Sequence, residues 1–196
     1  MYVIFEGIDT TGKSTQIELF EKTFDDVIAV REPGGTKLGE KLREIILKSK
    51  HDISFTAELF LFLADRAQNF EENIKYNKDK IIISDRGMIS GISYALANHP
   101  TLDKDFLILM NKFALEGSLP DKVVLFKTNK DLIMQRLASK SHDNIELRGV
   151  DYLLRVQDLM IDVLNELPIK VLIIDASKSI ENIHNTIKEF IYDTSA

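Results

Sequence analysis

The sequence predicts an α/β fold, a five-stranded parallel sheet with helices on both faces. Three observations predict it. Five short apolar runs alternate with longer segments of helical periodicity. The runs are almost continuously hydrophobic instead of alternating, the pattern of strands covered on both faces. The chain of 196 residues is long enough to bury a full core as one domain, residues 1–196, with no linker-like tract dividing it.

Taken in order, Tyr2–Phe5 is the first strand, and Ser14–Thr23 the first segment with a 3.6-residue period. Val27–Val30 is the second strand, followed by the helical pattern Leu38–Leu47. Lys80–Ile83, Lys122–Phe126 and Lys170–Ile174 supply the remaining strands, and Glu181–Ile191 a closing helix. One stretch breaks the apolar pattern. Residues 138–149 are polar, charged and poor in core formers, which suits either a solvated connection or a short lid.

Composition narrows the chemistry. Hydrophobic residues make up 44% and charged residues 29%, as in globular proteins and unlike disordered chains. The absence of cysteine excludes disulfides, a thiol nucleophile and thiolate metal sites. The four histidines (His51, His99, His142, His184) are scattered, so a histidine metal site is not expected. With 25 basic against 31 acidic side chains, the net charge of −6 disfavours a nucleic-acid partner. No apolar run approaches 18 residues and residues 1–6 read as a strand, so a soluble, cytoplasmic protein without a membrane partner is expected.

Gly7-Ile-Asp-Thr-Thr-Gly-Lys-Ser14 matches GxxxxGK[ST] between a strand and a helix, the context this phosphate-binding loop requires. Gly7 and Gly12 let backbone N–H groups of Thr10, Thr11 and their neighbours, through Thr15, converge on an anion at a helix N-terminus. Lys13 is placed for the β- and γ-phosphates, and the Ser14 hydroxyl for magnesium. Asp85, at the end of the third strand, is a candidate for the same metal shell, and Arg86 beside it for a second phosphate. A guanine reader is not expected. Thr128-Asn129-Lys130-Asp131 carries its aspartate one position too early, and Asn129 reads instead as a helix N-cap. Phe62 and Arg66 lie four apart, so on a helix a ring and a guanidinium share a face. They suit a flat base, or else a core ring with a snorkelling arginine. Leu59–Leu63 is apolar nearly all round, which predicts a helix buried on both sides, one of them a candidate subunit contact.

Together these residues resemble the thymidylate kinases, P-loop nucleoside monophosphate kinases acting on dTMP. The resemblance runs from residue 1 to about 192 and rests on four motifs in order: Phe5-Glu-Gly-Ile-Asp-Thr-Thr-Gly-Lys-Ser-Thr15, Arg31-Glu-Pro-Gly-Gly-Thr36, Phe62-Leu-Ala-Asp-Arg66 and Asp85-Arg-Gly-Met-Ile-Ser-Gly-Ile-Ser-Tyr94. It implies a three-layer P-loop kinase fold, ATP with magnesium, dTMP as acceptor, and a homodimer. It further implies Asp9 at the 3′-hydroxyl of dTMP, Glu32 near the metal and phosphates, and Arg43 and Arg86 on the acceptor phosphate. Phe62 would stack on thymine, Arg66 meet its carbonyl edge, and Ser90 and Tyr94 line the nucleotide, with Tyr94 excluding a 2′-hydroxyl. Arg136 would flank adenine, with the loop Asp175-Ala-Ser177 nearby. Three departures stand out. Ile8-Asp-Thr-Thr11 holds no arginine, Asp143-Asn-Ile-Glu146 replaces the arginine of the usual lid motif, and Gly91 and Ala95 stand where many members are polar. The missing cation is expected from Arg148, with Lys140 as the alternative. Another nucleotide kinase is the next reading, and a nucleotide-binding switch, for which no water-positioning signature is found, the last.

Overall fold

The computed structural model describes residues 1–49, 51–137 and 149–193. Strand β1 (Tyr2–Glu6) leads through α1 (Lys13–Thr23) to β2 (Val27–Arg31). Helices α2 (Lys37–Lys48) and α3 (Phe55–Asn69) follow, and α3 runs on into a π-helical turn, Phe70–Ile74. Then come β3 (Ile81–Asp85), α4 (Met88–Asn98), α5 (Lys104–Ala114), β4 (Lys122–Lys127), α6 (Lys130–Leu137), α7 (Val150–Asn165), β5 (Lys170–Asp175) and α8 (Ile180–Tyr192).

All five strands are parallel, in the order β2-β3-β1-β4-β5. Each runs one or two residues past its apolar run, ending on a polar side chain: Glu6, Arg31, Asp85, Lys127 or Asp175. Backbone pairing does not require an apolar side chain, so hydrophobicity marks the covered part of a strand and understates its carboxyl end. Successive β1 side chains alternate between faces. Val3 and Phe5 pack with Ile17 and Phe20 of α1 and with Ile183, Ile187 and Ile191 of α8. Tyr2 and Ile4 pack on the opposite face with Met88, Ile89 and Ile92 of α4 and Leu153, Val156 and Met160 of α7. Each such side chain, fully buried, contributes about 1.5–3 kcal/mol relative to exposure.

Local chemistry sets the helix starts. Thr36 Oγ1 accepts the Gly39 N–H (2.9 Å), Asp103 the Asp105 and Phe106 N–H groups, and Ser179 the Asn182 N–H. Asn129 acts as read from the sequence, its Oδ1 accepting the Leu132 N–H at 3.0 Å. Of the two sides of helix α3 expected to be buried, one of them as a candidate subunit contact, only one is buried within the chain. The helix buries Asp65, Arg66 and Asn69 on one face, while Phe60 on the other is 55% exposed. Among the described residues nothing covers Phe60 on that outer face. The expected lid, together with Lys140, Asn144 and Arg148, lies outside the described residues except for Gly149.

Candidate active site

The carboxyl ends of β1 and β3, adjacent strands near the middle of the sheet, place the loops after them side by side. The loop after β1 curls tightly. Gly7 has φ 141°, and a Cβ there would lie 2.8 Å from the Phe126 carbonyl oxygen, so no other residue fits. Lys13, buried, turns its Nζ back onto the loop, donating to Gly7 O (2.8 Å) and Ile8 O (2.9 Å). The Ser14 hydroxyl is 3.4 Å from Asp85 Oδ2, and Asp85 Oδ1 is buried without a hydrogen-bond partner among the described residues. Arg136 bridges from α6, donating to Thr10 O (2.7 Å) and to Ala176 O (2.8 Å) in the loop after β5.

Arg86 has left-handed backbone geometry, φ 70°, unusual outside glycine. Its guanidinium is fixed on three sides: Gly7 O (2.9 Å) and Ser90 Oγ (3.0 Å) accept from Nη1, and Asp9 pairs with Nη2 at 2.6 Å. Ser90 is itself held by the buried Glu6 carboxylate, which accepts both its backbone N–H and its hydroxyl. Burial pushes the Glu6 carboxyl up; the Ser90 bonds and the nearby Arg86 and Lys13 cations oppose that shift. Arg43, from α2, donates to Pro33 O (2.8 Å). Its chain lies across Gly34, where φ is 107° and a Cβ would stand 2.9 Å from Arg43 Cδ.

Phe62, Phe55, Leu59 and Tyr94 wall an apolar cleft with Arg66 among its lining residues. The Tyr94 ring lies beneath Arg86, 5.7 Å from the guanidinium carbon, and burial pushes its phenol up to about 12. Arg66 is buried and ion-paired to Glu32 at 2.8 Å. Asn69 donates to Glu32 Oε1 (3.0 Å), Asn73 to Gly35 O (3.0 Å), and Asp65 accepts the Gly34 N–H (2.9 Å). Helix α3 and the π-helical turn after it thereby hold Glu32, Gly34 and Gly35. Burial also raises the Asp65 carboxyl to about 6.

The apolar cleft opens onto a polar trough lined by Thr10, Thr11, Gly12, Lys13, Ser14, Thr15, Asp85 and Arg136. Four residues, Asp9, Glu32, Arg43 and Arg86, border both. The arrangement provides a flat apolar slot, an anion cradle, and a cationic junction between them.

A sequence model described as thymidylate kinase matches residues 5–187. The chain belongs to the thymidylate kinase family. It is 52% identical over 192 residues to the thymidylate kinase of Campylobacter concisus (strain 13826), covering 97% of this chain and 98% of that one. It is 50% identical over 191 residues to that of Sulfurovum sp. (strain NBC37-1), covering 97% and 99%. The crystal structure of thymidylate kinase from Ehrlichia chaffeensis superposes with a TM-score of 0.74 at 26% identity, over 97% of each chain.

Besides the residues to which the thymidylate kinase resemblance gives roles, the structure brings in Glu6 and Asp65, which stand in the quoted motifs without a role, and Asn69, Asn73 and Asn111, which sequence reasoning passed over. Two signals were available. Glu6 is a charge directly after an apolar strand, and positions 65, 66, 69 and 73 recur at helical spacing as polar side chains.

Proposed function

We propose that this chain, acting as one kinase unit, transfers the γ-phosphoryl group of ATP to dTMP, giving dTDP and ADP. The observation that carries the reading is the junction at Asp9, Glu32, Arg43 and Arg86, where a base slot and a phosphate cradle open into each other. An acceptor monophosphate in the slot would direct its phosphate to Arg43 and Arg86, and a triphosphate in the cradle would bring its γ-phosphate to the same place. Phosphoryl transfer depends on alignment and charge neutralisation more than on covalent chemistry, so cations fixed in advance are the main requirement.

In this reading Lys13 neutralises the transferring phosphates and Gly7, Thr10, Thr11, Gly12, Ser14 and Thr15 form the cradle. Arg136 flanks adenine, Asp9 holds Arg86 and the sugar hydroxyl, and Ser90 fixes Arg86 from below. Phe62 stacks on the base, Arg66 reads its carbonyl edge, and Tyr94 closes the sugar side. Arg148 supplies the second catalytic cation. Magnesium fits the Ser14 and Asp85 pair, because a hydroxyl and an orphaned buried carboxylate oxygen adjoin the cradle. Among the described residues no cluster of three metal-ligating side chains exists, which suits a cation completing its shell with phosphates and water. Held by Ser14 and Asp85, it would supply charge neutralisation to the transferring phosphates. Both substrates are soluble cytoplasmic nucleotides, and we place the enzyme in that compartment.

The deciding experiment is steady-state kinetics with ATP against dTMP, dUMP, dGMP, UMP and thymidine. Turnover that does not favour dTMP overturns the reading. Phe62→Ala should weaken dTMP binding by about 1–3 kcal/mol, the worth of a base–aromatic stack, with ATP affinity unchanged. Tyr94→Ala should raise the relative rate on ribonucleotides. Equal loss of ATP and dTMP binding in both variants would make them structural residues instead.

We also propose a homodimer. Phe106, Leu109 and Phe113, at 55%, 63% and 87% exposure, present an apolar stripe on α5, and neighbouring α3 adds Phe60. So contiguous an exposed apolar set marks an interface. Sedimentation should give twice the chain mass, and Leu109→Glu with Phe113→Glu should halve it. A monomeric wild type at micromolar concentration would exclude the dimer.

A further inference from the structure

The geometry points to Asn111 as the residue that orients the base-reading arginine, and so as a specificity-determining position for the 4-oxo edge of the acceptor pyrimidine. The inference rests on the dTMP-kinase reading and deepens it.

Asn111 is on α5, a helix otherwise concerned with the core and the exposed apolar stripe. The other residues on its buried face are Leu107, Ile108 and Ala114, so a carboxamide there is out of place unless it has partners. It has two. Nδ2 donates to the Leu107 carbonyl at 2.7 Å, which turns Oδ1 toward Arg66 Nη1, 2.5 Å away. A guanidinium only donates, so the amide cannot be reversed without placing N–H against N–H.

Arg66 is consequently held at two points. Glu32 Oε2 is ion-paired with Nη2 at 2.8 Å, and Asn111 Oδ1 accepts the hydrogen bond from Nη1. The ion pair alone would let the guanidinium turn about that contact; a hydrogen bond on the other nitrogen fixes its plane. At the open end of its fork stands Gly91, where a Cβ would lie 3.2 Å from Nη1, 3.3 Å from Nη2 and 3.6 Å from Cζ. The guanidinium therefore meets bare backbone there, and both residues line the cleft with Phe62, one helical turn earlier on α3. Nε is buried with no partner among the described residues. A planar, donor-only group fixed in this way accepts a carbonyl and rejects an amine in the same place. The gain from a fixed donor is largest against an analogue that leaves it unpaired. Asparagine suits the task because it is neutral. It orients Arg66 without setting a second carboxylate against a cation that Glu32 already neutralises.

The test uses the full chain with ATP and three acceptors, dTMP, dUMP and dCMP, the last carrying a 4-amino group. Asn111→Leu keeps the branched shape and the number of heavy atoms and removes the acceptor. It is expected to raise the dTMP KM about 10-fold, with kcat within about 3-fold and the ATP KM unchanged, as for a lost binding contact. The dTMP-over-dCMP preference should shrink about 10-fold, while dTMP over dUMP, which share the 4-oxo group, stays as it was. Asn111→Asp retains the acceptor toward Arg66, and when protonated it also keeps a neutral donor toward Leu107 O. At a pH acidic enough to hold that carboxyl protonated, its dTMP KM should stay within about 3-fold of wild type at the same pH, the conservative rescue. Where the leucine variant does not fold, Gly91→Ala carries the test. Its methyl presses the same guanidinium from the cleft side, in a helix that favours alanine, and should lower the dTMP-over-dCMP preference with Tm maintained. An unchanged preference in Asn111→Leu, or in Gly91→Ala where that variant stands in, overturns the inference. So do equal losses in the leucine and aspartate variants, which would make Asn111 a packing residue. These results leave the proposed function standing. A wild-type protein that ignores dTMP overturns the function, and the inference with it.

Discussion

Lys13→Ala is expected to lower kcat by about 10²-fold or more, the scale of loss when one preorganised donor to a transition state is removed. Stability should barely change, because the side chain binds loop carbonyls and Gly7 O retains its bond from Arg86. The same lysine should leave a signature in pH. Burial, with Arg86 pushing in the same direction, lowers the Lys13 ammonium to about 8. The charged form is the one that neutralises phosphate, and it is lost as pH rises through that value. Since kcat/KM reports the free enzyme, it should fall above pH 8. Bound phosphates favour the ammonium, so kcat itself should hold to higher pH. A variant with wild-type kcat, or a kcat/KM flat to pH 9.5, would remove Lys13 from the mechanism.

Arg66→Met is expected to cost about 3–5 kcal/mol of stability, because it strands Glu32 as an unpaired buried carboxylate. For a chain of this size that is a Tm drop on the order of 10 °C. Both side chains are 3% exposed, which separates this pair from Lys130–Asp151, where the partners are 55% and 86% exposed and the contact is worth about 0–1 kcal/mol. Adding Glu32→Gln to Arg66→Met should recover most of the loss, since the charge left unpaired is then gone. Calorimetry on the two single variants and the double decides it. Additive losses would show that the two side chains are not coupled.

The sheet was legible because its strands are covered on both faces, so apolar runs such as Lys122–Phe126 coincide with covered backbone. The phosphate loop was legible because its requirements are local: glycine where φ is positive, lysine and serine where a helix begins. What escaped depends on contacts between segments far apart in sequence. Nothing local to Asn111 says that it faces Arg66, 45 positions earlier, and nothing around Asp65 says that it holds Gly34. The π-helical turn at Phe70–Ile74 continues the α3 pattern, so no break in periodicity announces it. Arg66 and Phe62 were recognised as sharing a face, but the spacing carried no sign of Glu32 as a buried counter-ion. The sequence could not say which side of α3 packs within the chain, because an apolar residue such as Phe60 reads alike in a core and at a subunit contact.

The strand order has a kinetic consequence. β1 is central, paired on one side with β3, some 80 residues downstream, and on the other with β4, some 120 downstream. Contacts at such separation close large loops before they return any energy, which slows folding. The phosphate loop depends on the same late arrivals. Its Gly7 carbonyl is held by Arg86, its Thr10 carbonyl by Arg136, and its Gly7 backbone is pressed against Phe126. During synthesis the nucleotide-binding signature therefore leaves the ribosome well before the residues that give it its shape. Until residue 136 has emerged, the nascent chain carries the motif without the site.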